Sequence, residues 1–236
     1  MKIIVLSINP YKEKDAIVSA ISSEGFLTFL ARGIKDPKSK NMTLNNPLSI
    51  ADIELMEGDF KHPILKGSKQ LFTPLRLDMD SKYLGSLLLM NEIMIHLFPD
   101  EEKHKMFSCL EEGVIKLKET DDWLMTLLLF MASAMRVGGF ELEVNRCVLC
   151  GQKKRIVAFS FIEGGFICEE CINEDIPKDL SKEQMILLRT IFNSHDYHLL
   201  SSRYSRQDAL VLLNKFIEFM QEAFGYRFKN LRLILD

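Results

Sequence analysis

Apolar and polar residues along this chain change rhythm twice, and each change marks a different kind of element. Up to about residue 78 the apolar residues fall in short runs broken by turn signals. Residues 2–8 are rich in β-branched and aliphatic side chains and end at Asn9-Pro10. Residues 16–21 close at Ser22-Ser23-Glu24-Gly25, and residues 26–31 at Arg32-Gly33. Residues 48–56 end at Glu57-Gly58-Asp59, and residues 64–72 form a fifth run. Runs of this length between Gly, Pro, Asn and Ser clusters read as strands. Five short strands in so little chain predict a small closed barrel. An OB-fold is the five-stranded option of that size, and an SH3-like barrel fits the same pattern.

After Pro74 the period becomes helical. Residues 81–98 carry Leu84, Leu87, Leu88, Ile93, Ile95 and Phe98 and stop at Pro99-Asp100; residues 101–118 carry Phe107, Leu110, Val114 and Leu117. Asp121-Asp122 caps a third helix over 123–137, closed by Gly138-Gly139. That helix is apolar nearly all round and should be the buried centre of its domain. Farther on, Ser181 with Gln184 has the spacing of a capping box before residues 185–192. Ser205 with Asp208 precedes a long helix over 209–224, which Gly225 closes.

Between these helices lies the most specific motif in the chain. Cys147, Cys150, Cys168 and Cys171 form two CxxC pairs separated by 17 residues, the spacing of a four-thiolate zinc site. Gly151 follows the first pair, where a tight turn needs positive φ. Val157, Phe159 and Phe161 alternate with Ala158 and Ser160 as in a half-buried strand, and Gly164-Gly165 turns the chain back through Phe166. This predicts a zinc ribbon with structural Zn2+, since four protein sulfurs leave no open position for a catalytic water. An iron-sulfur cluster and a disulfide-bonded site are the alternatives. A redox dithiol would be a single CxxC beside a βαβ pattern, which is absent here. The expected fold is therefore α+β: a barrel over 1–78, a helical domain over 79–146 that resumes over 177–236, and a zinc-ribbon insertion over 147–176.

Composition adds bounds. The chain has 236 residues, 27% of them charged, with a net charge of -3. That excludes a wholly basic nucleic-acid coat but not a local basic groove. Two such clusters stand out. Residues 31–41 carry Arg32, Lys35, Lys38 and Lys40 against the single acid Asp36, and residues 61–76 carry Lys61, Lys66, Lys69 and Arg76 with no acid. Clustered cations suit phosphate binding, because each neutralised phosphate releases condensed counterions. Solvated Lys-rich turns would look the same. Tyr11 and Phe72 have the chemistry to stack on bases, although aromatics in strand patterns are more often core. A short apolar run after Lys2 is followed at once by charges, so no signal peptide is expected. The longest apolar stretch, 123–135, is too short to span a membrane. Cytoplasmic localisation follows as the expectation.

Catalytic motifs are missing: there is no HExxH, no GxSxG and no P-loop. His195 and His198 are spaced so that a loop could bind metal, and read better as an ordinary polar loop. Glu111-Glu112 and Glu169-Glu170 are adjacent and point apart on a helix. Cys109 lies in an apolar-periodic helix as a small buried hydrophobe. The chain is expected not to be an enzyme.

The residues from Pro10 through Lys12-Glu13-Lys14-Asp15 to Val18, then Glu24-Gly25, and Ala31-Arg32-Gly33 with Lys38-Ser39-Lys40 resemble the opening of bacterial RecO proteins. Gly138-Gly139-Phe140 leading into Cys147-Val148-Leu149-Cys150-Gly151, and Phe159-Ser160 before Gly164-Gly165-Phe166, are similar to that family's central segment. Two positions depart from its pattern: Lys12, where glycine is usual, and Asn46-Pro47-Leu48, where Pro-Phe is common. The resemblance implies a DNA repair and recombination mediator with an OB-fold barrel, a helical domain and a zinc module. Such a protein binds single- and double-stranded DNA, anneals complementary strands, and works with RecR to help RecA displace the single-strand binding protein SSB. By position, Arg32, Lys35, Lys38 and Lys40 match the family's DNA-contacting loop, and the four cysteines match its zinc ligands. The SSB C-terminal tail is a further implied partner, with Arg203 and Arg206 as candidate rim cations; no membrane partner is expected. Two other classes stay open: an interaction module whose helical domain grips a partner peptide, and a zinc-containing enzyme of unrecognised type.

Overall fold

In a computed structural model the chain is described throughout except at residues 37, 57, 59–61, 121, 179, 195, 196, 198–202 and 236. Its strands and helices run in the order β1 (Lys2–Pro10), β2 (Ala16–Ile21), β3 (Phe26–Ala31), β4 (Ile50–Met56), β5 (Ile64–Phe72), α1 (Ser81–His96), α2 (Phe107–Thr120) and α3 (Trp123–Val137). There follow β6 (Glu143–Cys147), β7 (Ile156–Ser160), β8 (Gly165–Cys168), α4 (Lys182–Asn193), α5 (Arg206–Phe224) and α6 (Arg232–Leu235). They divide into two compact units, Met1–Asp121 with Lys229–Asp236, and Asp122–Phe228.

The first unit is organised around a barrel closed in the order β1-β2-β3-β5-β4. Closure depends on two pairings that hairpins alone do not supply: β1 with β4, from Lys2 opposite Asp52 to Ile4 opposite Ile50, and β3 with β5 in parallel at Leu30 and Ile64. This crossover order is that of the OB-fold and not of an SH3-like barrel. Large and small side chains alternate around the interior, Phe29, Ile3, Val5, Ile53 and Leu65 among Ala16, Ala20, Ala31 and Ala51. Mixed sizes let a narrow barrel fill without voids. β1 is buried on both faces, from Ile3 to Leu6. Its inner residues Ile3 and Val5 face the barrel core, and α1 packs on the strand.

Asp80 caps α1, its carboxylate accepting the Tyr83 N–H at 2.7 Å. α2 begins at Phe107 and not near residue 101 as the periodicity suggests. The Pro99 carbonyl accepts the N–H groups of both Glu102 and Lys103, and a 3-10 turn at Lys103–Met106 takes up the intervening chain. α6 packs on α1 over Gly85, where a Cβ would lie 2.7 Å from Ile234 Cγ1 and 2.9 Å from Leu233 Cβ.

In the second unit 12 of the 15 residues of α3 are buried, which accounts for its apolar character on every side. α4 carries the full capping box: Ser181 Oγ accepts the Gln184 N–H at 3.2 Å, and Gln184 Oε1 accepts the Ser181 N–H at 2.9 Å. α5 starts after Ser205 and ends at Gly225 in the left-handed conformation, φ 65°. Between α3 and α4 sits a three-stranded sheet in the order β6-β8-β7, the support of the four cysteines.

Candidate functional site

Strand register brings the most basic loop and the first hairpin turn to the same end of the barrel. Pro10, the last residue of β1, is opposite Ala16, and Ala16 is opposite Ala31, the last residue of β3. The chain therefore leaves β1 into the turn at residues 11–15 and leaves β3 into the loop beginning at Arg32 side by side. Two hydrogen bonds join them: the Lys35 N–H donates to the Lys14 carbonyl at 3.2 Å, and the Gly33 N–H to the side-chain Oδ1 of Asp15 at 2.8 Å. Gly33 takes φ 65°, so only glycine reaches this turn without strain.

The loop is fixed from below. Ile34 and Leu44 both insert into the barrel core. A 3-10 turn at Lys40–Leu44 is capped by Ser39, whose Oγ accepts the Asn41 N–H at 3.2 Å. Ser68 Oγ on β5 donates to Asn41 Oδ1 at 2.9 Å. The one acid organises the loop: Asp36 Oδ1 accepts the Lys38 N–H at 3.0 Å, and Oδ2 pairs with Lys14 Nζ at 2.9 Å. The Lys38 N–H, with help from the Lys14 ammonium, holds the Asp36 carboxyl below the usual carboxylate range. On this frame Arg32, Lys38 and Lys40 are exposed and Lys35 half-exposed, and none forms an ion pair among the described residues.

The second cluster is arranged differently. Lys66 pairs with Glu54 at 3.1 Å, and Lys69 is register partner to Asp52 across β4 and β5, so this outer face carries both signs. Arg76 lies 4.1 Å from the Tyr83 ring centroid and 3.5 Å from Asp78, with only 18% of its side chain accessible. Lys61 lies outside the described residues, as do His195 and His198. Phe72 is half-buried with the Lys118 ammonium 5.2 Å from its centroid. Lys12 and Lys14, which the charge pattern passed over, belong beside the loop. What would have found them is topological: in a β1-β2-β3 meander, the first turn and the third strand's exit share one end.

The cysteine sulfurs converge. Cys147, Cys150, Cys168 and Cys171 place their Sγ atoms within 4.8 Å of one another, Cys150 and Cys168 at 3.6 Å, and none is disulfide-bonded. Four sulfurs each about 2.3 Å from a tetrahedral zinc would stand roughly 3.8 Å apart, so the set fits such an ion closely. Each pair is a turn closed by backbone: the Gly151 N–H donates to the Cys147 carbonyl at 2.8 Å and the Cys171 N–H to the Cys168 carbonyl at 3.1 Å. Gly151 and Gly164 take φ 77°, as their turns require. Burial pushes the Cys147 thiol up, but the N–H groups of Cys168, Cys150 and Leu149 outweigh it and bring the group down to about 6. Cys171 moves the other way, raised first by Cys150 and then by Cys168. Crowded sulfurs of this kind hold one negative charge readily and resist more, which a divalent cation relieves. These four residues can hold a metal ion.

The strand between the pairs departs from strict alternation. Val157 is exposed, whereas Ala158, Phe159 and Ser160 are all buried. Ala158 joins Ile167 and Ile176 in a small core, while Phe159 meets Phe161 and Phe166 edge-on at centroid distances of 4.8 and 5.9 Å. From Ala158 onward both faces of β7 are covered, so alternation breaks down there.

The second unit also carries a groove of about 370 Å³ lined by Glu183, Ile186, Leu187, Arg203, Tyr204 and Asp208 among others. Arg206 lies over the Trp123 ring at 5.3 Å. Among the described residues no helix is long and apolar enough to cross a membrane.

Comparison with known proteins accords with this architecture. Residues 1–61 match the family described as recombination protein O N terminal, and residues 79–223 the one described as recombination protein O C terminal. The DNA repair protein RecO of Bacillus subtilis (strain 168) is 24% identical over 237 residues, covering 99% of this chain and 92% of its own. That of Halalkalibacterium halodurans is 24% identical over 235 residues, covering 98% and 92%. That of Syntrophomonas wolfei is 25% identical over 193 residues, covering 81% and 77%. With a barrel, a helical region and a four-cysteine ribbon in the order those two matches span, the chain belongs to the RecO family of DNA repair proteins, non-enzymatic mediators of recombination.

Proposed function

We propose that this chain binds single- and double-stranded DNA through the phosphates, without sequence preference, and brings complementary strands together. The observation that supports the reading is the loop between β3 and β4: among the described residues Arg32, Lys35, Lys38 and Lys40 form no ion pair, and the loop is anchored by buried Ile34 and Leu44. Phosphate contacts position a strand but do not read its bases, hence the lack of preference. Annealing needs two polyanions to approach. A fixed cationic surface offsets their repulsion, and no covalent bond has to change.

Lys69 extends the surface along β5, and Lys61 belongs to the proposed set. Lys66 can exchange Glu54 for a phosphate cheaply, because an exposed ion pair contributes at most about 1 kcal/mol. Arg76, stacked on Tyr83 with 18% of its side chain accessible, is poorly placed to reach a phosphate. The metal we assign to Cys147, Cys150, Cys168 and Cys171 is structural Zn2+, with all four positions filled by sulfur.

The same reading includes partners. An acidic, aromatic SSB tail suits the apolar groove beside Ile186 and Tyr204 with Arg203 at its rim, and RecR together with SSB-coated DNA provides the setting for loading RecA. Such a role is cytoplasmic. The test is a strand-annealing assay on labelled complementary oligonucleotides, with and without SSB. The wild-type protein is expected to accelerate annealing, and a variant with Arg32, Lys35, Lys38 and Lys40 all changed to Glu is expected not to. Unchanged single-strand affinity of that variant at low salt would overturn the assignment of the loop.

A further inference from the structure

We infer that Tyr11 is a base-stacking platform that gives the proposed DNA-binding face a preference for single strands over duplex; the inference rests on the DNA-binding reading above. Among the described residues Tyr11 is the only Phe, Tyr or Trp in the exposed class, at 56% accessibility. Every other described aromatic is buried or half-buried. Phe72 on β5 has the Lys118 ammonium over it, and that lysine is committed to the Thr73 and Leu75 carbonyls at 2.7 and 3.2 Å.

Tyr11 is also in the right place. It follows Pro10 directly, and Arg32 follows Ala31 directly, with Ala16 paired to both Pro10 and Ala31. Two strand spacings separate the starting points of Tyr11 and Arg32, roughly 10 Å. The backbone beneath the ring is held: the N–H groups of Tyr11 and Lys12 donate to the Asp15 carbonyl at 3.1 and 3.4 Å, and Asp15 in turn holds Gly33 of the basic loop. Lys12 Nζ lies over the Tyr11 ring, 5.5 Å from its centroid, but unlike Lys118 its ammonium makes no hydrogen bond among the described residues, so a base can displace it from the face toward a phosphate. An exposed ring on a rigid turn next to cations is what a single strand needs, since an unpaired base offers a π-face whatever its identity. A duplex hides its bases in the stack and offers phosphates only. The cationic loop therefore serves both forms, and Tyr11 adds affinity for one.

The experiment compares wild type, Tyr11→Ala, Tyr11→Trp and the fourfold charge reversal on oligo(dT) and on a duplex closed by hairpins at both ends. Tyr11→Ala is expected to weaken oligo(dT) binding roughly tenfold or more and to leave duplex binding within twofold. Tyr11→Trp is expected to retain oligo(dT) affinity, with the added indole fluorescence quenched by oligo(dT) and not by the closed duplex; buried Trp123 in the wild type gives the baseline. If Tyr11→Ala leaves both affinities unchanged while charge reversal abolishes them, the stacking role is wrong and the DNA-binding reading stands. An equal loss on both substrates would make Tyr11 a support of the turn and also overturns the proposal. Failure of the wild type to bind either substrate would overturn the reading beneath it.

Discussion

The basic loop of the barrel and the cysteine ribbon are both irregular chain held in one shape, yet they are held by different physics. The loop hangs from two apolar side chains, Ile34 and Leu44, sunk in a core that the five strands build without it. Its four cations can face outward because, among the described residues, none of them forms an ion pair that holds the loop; Asp36 makes that pair, with Lys14. Among the described residues the ribbon buries a small cluster of Ala158, Ile167 and Ile176, with Cys171 and Ile172 packed against it, and the rings of Phe159 and Phe166. Its side chains that converge do so on one another's sulfurs. So few apolar groups cannot offset the chain entropy of ordering the segment. The loop's chemistry thus points away from the protein and the ribbon's points inward, which is the physical ground for assigning binding to one and support to the other.

The largest effect that separates them is metal removal. Structural zinc contributes on the order of 10 kcal/mol to small sites. Chelation, or Cys168→Ser, is expected to abolish amide-exchange protection over residues 147–171 and leave the barrel strands protected. Loss of protection in β1 to β5 as well would show that the two supports are not separate. Next is Leu44→Ala, a fully buried anchor whose truncation costs about 2–5 kcal/mol. Chemical denaturation should show the loss, and exchange should show it concentrated in the loop.

The smallest effect is at Asp36. Removing the loop's only acid, Asp36→Asn, should raise DNA affinity modestly, since Lys14 loses its partner and the loop gains a unit of positive charge. The pH dependence has the matching sign. A carboxyl depressed in the folded protein adds stability above its unfolded value, near 3.9, and loses it as pH falls through the folded value. Loop protection should therefore weaken below about pH 4 in the wild type and not in Asp36→Asn.

Much of this was legible before any coordinates. Turn residues closed the first four barrel strands and an apolar run marked the fifth, the Ser181–Gln184 spacing located the start of α4, and cysteine spacing located the ribbon. These are local properties, and local pattern reports them. Long-range properties were not legible. Nothing in β3 or β5 announces that Leu30 pairs with Ile64 to close the barrel, or that α6 returns to pack over Gly85 of α1. Phe159 is buried along with its neighbours Ala158 and Ser160 because packing covers both faces of that part of β7, which a period of two cannot anticipate. The candidate site divided the same way. Arg32 to Lys40 are neighbours in sequence and belong to one loop, whereas the engagement of Lys66 with Glu54 and of Arg76 with Tyr83 depends on partners that charge counting does not see.

The measurement closest to the central claim is the salt dependence of single-strand binding by wild type and by a variant with Arg32, Lys35, Lys38 and Lys40 changed to Ala. Each phosphate contact contributes about 0.7 to the slope of log K against log salt on a single strand. If all four cations bind phosphate, the variant's slope should be shallower by nearly 3, with the unfolding transition unmoved. Parallel lines for the two proteins would contradict the account.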